Sequence, residues 1–172
     1  MSLLIVPCGI SGSGKSHLRD ILLSKFSDIR VVSMDEIRKE MTGDVSDQSK
    51  NKEVYQELLR RTDELLKKDV VVYYDNTNIT DPLKIATQFD TEYETLFVVM
   101  TDSRHIDLCY SRVTNDVADN KDRSRTPYEI LEKQQSRWLS VIDHLHGNVM
   151  NFPSQRQGVI EFIEGWYDFK QT

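Results

Sequence analysis

The chain has 172 residues, 38% hydrophobic and 29% charged, with a net charge of −6. That length fits one domain with a real core, and the acidic balance excludes a protein that coats long nucleic acids by its field alone, though not an enzyme that grips one strand end with a few local Arg and Lys. No apolar run approaches the ~20 residues that span a bilayer, so no membrane partner is expected, and Cys8 and Cys109, far apart and outside any C-x-x-C, read as small buried hydrophobes and not as a disulfide.

The elements alternate. "SLLIVPC", Ser2 to Cys8, is a short apolar strand; no basic stretch precedes it, so it does not read as a signal peptide. A glycine loop follows, then a helix, "KSHLRDILLSKF", with Leu18, Ile21, Leu22 and Phe26 on one face. "IRVVSM", Ile29 to Met34, is a second strand, and "DEIRKEM" a short helix. After the polar break "GDVSDQSK", a longer helix from about Asn51 to Lys68 turns Val54, Leu58, Leu65 and Leu66 inward. "VVVYYD", Val70 to Asp75, is a buried third strand. Thr80 or Asp81 then caps a helix opened by Pro82. "ETLFVVMT" is a fourth strand, followed by a helix from about His105 to Thr114. The charge-mixed stretch "NDVADNKDRSRT" leads to a helix opened by Pro127, and the tail "GVIEFIEGWYDFK" reads as a last helix that packs its aromatics on the sheet. The expected fold is α/β: a parallel sheet of about four to five strands, flanked by helices on both faces, in one domain with a lid over about 112–128.

GISGSGKS, Gly9 to Ser16, fits G-x-x-x-x-G-K-[ST] in full, between a strand and a helix. Such a loop curls its backbone N–H groups around phosphate oxygens, and the helix start adds its positive end. Lys15 would reach the β- and γ-phosphates of ATP and Ser16 would ligate Mg²⁺. Gly9, Ser11, Gly12, Ser13, Gly14 and His17 complete the candidate nucleotide site. No N-K-x-D reads a guanine base; "NKDR", Asn120 to Arg123, has the wrong spacing.

Three further segments carry chemistry. In an open α/β sheet, ligands gather at the carboxyl ends of strands. Asp35 stands at the end of the second strand, where a carboxylate can take the proton of an acceptor hydroxyl. Arg38, three residues on, shares its helix face and could hold an anionic part of the same substrate. Equally, Asp35 fits as a helix cap and Arg38 as a surface charge. Asp75 ends the third strand in "DNTN" and could sit beside Mg²⁺ or bond the loop serine; an ordinary turn is the alternative. Arg112, Lys121, Arg123 and Arg125 surround the charged stretch, which could close over ATP and place positive charge on the transferring phosphoryl group, or could be a solvated loop. His144 and His146 lie two apart near a helix end, the wrong spacing for a metal pair on one face, and Trp138 and Trp166 read as core.

Taken together, GISGSGKS, MDEIR, DNTNITDP, the basic segment and P-Y-E-I-L resemble the polynucleotide 5′-kinase family of P-loop phosphotransferases, above all the kinase domain of the phage enzymes, from about Leu3 to Trp138. The resemblance implies Lys15 and Ser16 for ATP and Mg²⁺ and Asp35 as general base on a 5′-hydroxyl. It further implies Arg38 on the acceptor's neighbouring phosphate, and Arg123 or Arg125 as the lid arginine that stabilises the transition state. His17 and Lys84 depart from the family's usual Thr and Arg. No D-x-D-x-T is present, so 3′-phosphatase activity is not expected.

The reading is an ATP- and Mg²⁺-dependent kinase acting on the 5′-hydroxyl of a DNA or RNA end, in the cytoplasm. Two alternatives stay open: a kinase for a nucleoside, a sugar or a hydroxymethylated base in DNA, and a non-catalytic nucleotide-binding module. The oligomeric state is left open, a homo-oligomer included.

Overall fold

In the computed structural model, residues 1–119, 121 and 125–171 are described, Gln171 by its backbone alone. Five parallel strands lie in the order β2-β3-β1-β4-β5: β1 (Ser2–Cys8), β2 (Arg30–Ser33), β3 (Val71–Asp75), β4 (Tyr93–Met100) and β5 (Asn148–Phe152). Every residue of the central β1 is buried, because helices cover both faces of a sheet whose parallel strands need crossovers.

The period-2 alternation of strand side chains sorts the core. On one face Leu3, Ile5, Tyr73, Val98 and Met100 meet α1 (Lys15–Lys25) and α7 (Arg156–Gln171) through Leu18, Leu22, Val159 and Trp166. On the other, Leu4, Val6, Val72 and Tyr74 meet α2 (Met34–Thr42), α3 (Asn51–Leu66) and α4 (Pro82–Ile85). A third cluster packs Ile10 and Val99 against α5 (Ile106–Ala118) and α6 (Tyr128–Ile142) through Cys109, Leu131 and Trp138. Both cysteines are buried and free, and both tryptophans belong to the core, as expected.

Three boundaries differ from the sequence reading. β2 ends at Ser33, since its side chain accepts from the Glu36 amide and starts α2 at Met34. α5 runs on through Ala118, so the first seven residues of the segment read as a lid are helix; α6 begins after Pro127. β5 has no counterpart among the four strands read from the sequence. "NVMNF" sits at the sheet edge, only Phe152 is buried, and its two Asn interrupt any apolar run. Asn148 instead donates to Glu94 Oε1 of the neighbouring strand at 2.8 Å.

Candidate active site

The glycine loop leaves the carboxyl end of β1 and enters α1. Gly12 has φ +81°, and a Cβ there would lie 2.3 Å from the Cys109 carbonyl oxygen, so both backbone conformation and space demand glycine. Gly14, at φ 101°, is the N-cap of α1 and offers no side-chain cap, and the first turn holds no acidic residue. The helix start therefore keeps its N–H groups and its positive end for an anion.

Four elements hold the loop in shape. The Gly9 amide donates to the Thr77 carbonyl at 3.0 Å. The Ile10 amide donates to Ser103 Oγ at 3.2 Å and the Ser11 amide to Gln134 Oε1 at 2.9 Å. Arg112 donates to the Gly12 carbonyl at 3.1 Å while its other contact, Asp102, lies at 2.8 Å. Below, the Tyr73 hydroxyl donates to the Lys15 carbonyl at 2.8 Å. Lys15 itself folds over the loop, its Nζ donating to the Gly9 and Ile10 carbonyls at 3.0 and 2.7 Å. Ser13 Oγ is buried and has no hydrogen-bond partner among the described residues. Ser16 and His17 are exposed, and His17 stands edge-on to Phe152.

Asp75 and Asp35 stand along the same sheet edge. Asp75 ends β3 opposite Ser33 of β2, two residues before Asp35. Burial pushes the Asp75 carboxyl above its usual range; Lys15 and Arg19 pull against that, and the negative charge of Asp35 adds to it. Arg19 donates to Asp75 Oδ2 at 3.1 Å. The rest of "DNTN" is structural: Asn78, at φ 53°, donates to the Pro7, Tyr74 and Asn76 carbonyls and so ties the end of β1 to that of β3.

Asp35 and Arg38 do share a face, and Arg38 Nη1 donates to Asp35 Oδ1 at 2.5 Å. Arg38 is only 5% exposed. It also donates to the Val45 carbonyl and to Asn51 Oδ1, both at 3.3 Å. This gives Arg38 a structural task and corrects the alternative of a surface charge: it fastens Asp35 to the 43–50 loop and to the start of α3. Asp35 is not the cap of α2, which is Ser33.

Of the cations around the charged stretch, Arg112 lies at the loop, on the Gly12 carbonyl. Arg125 and Lys121 are exposed, with Lys121 on Asp116 at 2.8 Å. Arg123 lies outside the described residues. The sequence reading missed Arg19, Tyr73, Ser103 and Gln134. Only Arg19 left a signal: it stands four residues after Lys15, on the same helix face.

An AAA domain model matches residues 4–140. The chain belongs to the AAA domain family. No curated protein sequence matches it. Among solved structures, this AAA domain is similar to a chain of the Pnkp1/Rnl/Hen1 RNA repair complex, at 18% identity and TM-score 0.67 over 84% of this chain; it spans 46% of that one. It is similar to a fungal RNA kinase at 16% identity and TM-score 0.55, over 87% and 74% of the two chains. It is also similar to the deoxyadenosine kinase of M. mycoides at 11% identity and TM-score 0.52, over 98% and 99%. The shared fold is that of a P-loop kinase.

Among the described residues of this AAA domain, no group of three or more His, Cys, Asp or Glu could hold a metal ion, His144 and His146 included. If a magnesium ion accompanies a bound nucleotide, the exposed Ser16 hydroxyl and the Asp75 carboxylate are oxygen donors of the kind it takes alongside phosphate oxygens. A groove of about 710 Å³ lies elsewhere, beside the amino-terminal ends of β4 and β5. No helix among the described residues is long and apolar enough to cross a membrane.

Proposed function

We propose that this AAA domain is an ATP-dependent kinase that transfers the γ-phosphoryl group to the 5′-hydroxyl of a DNA or RNA end. One observation carries the reading. Asp35 stands in the first turn of α2, just past the carboxyl end of β2 and near enough to Asp75 to act on its charge, half-exposed, with Oδ1 held by Arg38 and Oδ2 without a hydrogen bond among the described residues. A carboxylate so fixed can orient a hydroxyl and accept its proton.

The loop amides and Lys15 would cradle the β- and γ-phosphates, which requires Lys15 to exchange its two loop carbonyls for phosphate oxygens. Arg112, already at the loop, would lie against the nucleotide. In the transfer the acceptor oxygen forms a bond to the γ-phosphorus as the bond from that phosphorus to the β–γ bridging oxygen breaks. The acceptor proton passes to Asp35 and ADP leaves. When bound, Mg²⁺ neutralises charge on the phosphates. Arg123 or Arg125, by the resemblance, would supply further positive charge to the transferring phosphoryl group.

The likeness to the RNA kinase and the RNA repair chain supports a nucleic-acid acceptor. The near full-length match to a deoxyadenosine kinase favours a second reading, a nucleoside acceptor. The two separate in one assay with γ-labelled ATP and Mg²⁺, offering a 5′-hydroxyl DNA oligomer, the same RNA oligomer and a nucleoside mixture. Label on an oligomer's 5′ end is expected. Label on nucleosides alone would replace the acceptor, and no label on any of them with ATP still bound would overturn both readings.

A further inference from the structure

One turn beyond Lys15, α1 carries a second cation on the same face. Arg19 Nη1 donates to Asp75 Oδ2 at 3.1 Å and its Nε to Asp20 Oδ1 at 3.2 Å. The Arg19–Asp75 pair is shielded, with side chains 25% and 15% exposed. Asp75 Oδ1 takes no hydrogen bond among the described residues, while Lys15 and Asp35 both lie near enough to act on its charge.

We propose that Arg19 is a positioning residue: it holds Asp75 by one oxygen and thereby presents the other to the phosphate end of a bound nucleotide and its metal ion. Arginine suits this task. Its guanidinium is planar and permanently charged, so a carboxylate bonded to it is held in direction as well as in place. Direct phosphate binding by Arg19 fits less well, because acids on two sides, Asp75 and Asp20, already oppose its charge. The inference deepens the proposed function and rests on that reading for its nucleotide and metal. Groups that orient a metal-facing ligand typically change metal affinity or activity by roughly 10–100-fold when removed.

The test measures Mn²⁺ binding in the presence of ADP, by electron paramagnetic resonance, with no acceptor present. Arg19→Ala is expected to raise the Mn²⁺ half-saturation by about tenfold or more and to leave metal-free ADP binding unchanged. Arg19→Lys should recover part of the loss, since it restores charge without the fork. Asp75→Asn should show the same defect, and the double variant no more than Asp75→Asn alone. Wild-type half-saturation in Arg19→Ala, or a double-variant loss equal to the sum of the singles, would overturn the proposal. If Arg19→Ala melts below the assay temperature, Arg19→Lys against Asp75→Asn carries the same comparison. A wild-type protein that binds Mn²⁺·ADP through this pair yet transfers no phosphate would sink the proposed function and leave this inference standing.

Discussion

The phosphate loop and the proposed acceptor side are held in opposite ways. Thr77, Ser103, Gln134 and Arg112 each tie a different point of the loop, from four parts of the chain. On the acceptor side one side chain, Arg38, links Asp35 to Val45 and Asn51. Distributed ties make a cradle that tolerates the loss of any one member. A single buried hub makes a site that fails with it. The contrast suits the proposed tasks: the nucleotide end would be the same at every turnover, while the acceptor end would set what is phosphorylated.

The contrast predicts unequal losses. Asp35→Asn removes the proposed proton acceptor and should lower transfer by roughly 10²–10⁴-fold. Arg38→Ala should come next. It strands the Val45 carbonyl and frees Asp35, costing about 1–3 kcal/mol in denaturant unfolding together with a fall in kcat. Arg38→Lys should not restore either, because one ammonium cannot span three acceptors. Equal damage from Gln134→Ala would break the comparison. That variant removes one tie of four, so its cost should stay near 1 kcal/mol, with KM for ATP rising and kcat nearly kept.

The smallest effect lies on the exposed face of α3. Arg60 and Arg61 bond Glu57 and hold its carboxyl down to about 2. A carboxyl depressed in the folded state stabilises the protein above its unfolded value and loses that contribution as the pH falls. The Tm gap between wild type and Glu57→Gln should therefore be greatest near neutrality and close as the pH drops towards about 2. A gap that widens in acid would contradict the assignment.

Local patterns were legible in the sequence. GISGSGKS announces its own geometry because its glycines, Lys15 and Ser16 act within eight residues, and Asp35 and Arg38 pair as i, i+3 neighbours. What was hidden depends on distance. Arg19 meets Asp75 across 56 positions and Ser11 meets Gln134 across 123, and neither partner is marked by its neighbours in sequence. β5 was missed because an edge strand needs only one buried residue. The burial of Arg38 was also out of reach, since Val45 lies within, and Asn51 just beyond, a polar break that reads as solvent-exposed.

The most direct test of the account measures ATP affinity by calorimetry and single-turnover phosphoryl transfer, side by side, in wild type and Asp35→Asn. The account predicts wild-type ATP affinity in the variant, because among the described residues the hydrogen bond of the Asp35 carboxylate goes to Arg38 and none goes to the loop, with transfer reduced at least a hundredfold. Transfer at the wild-type rate in Asp35→Asn would contradict the role of the carboxylate and with it the proposed chemistry.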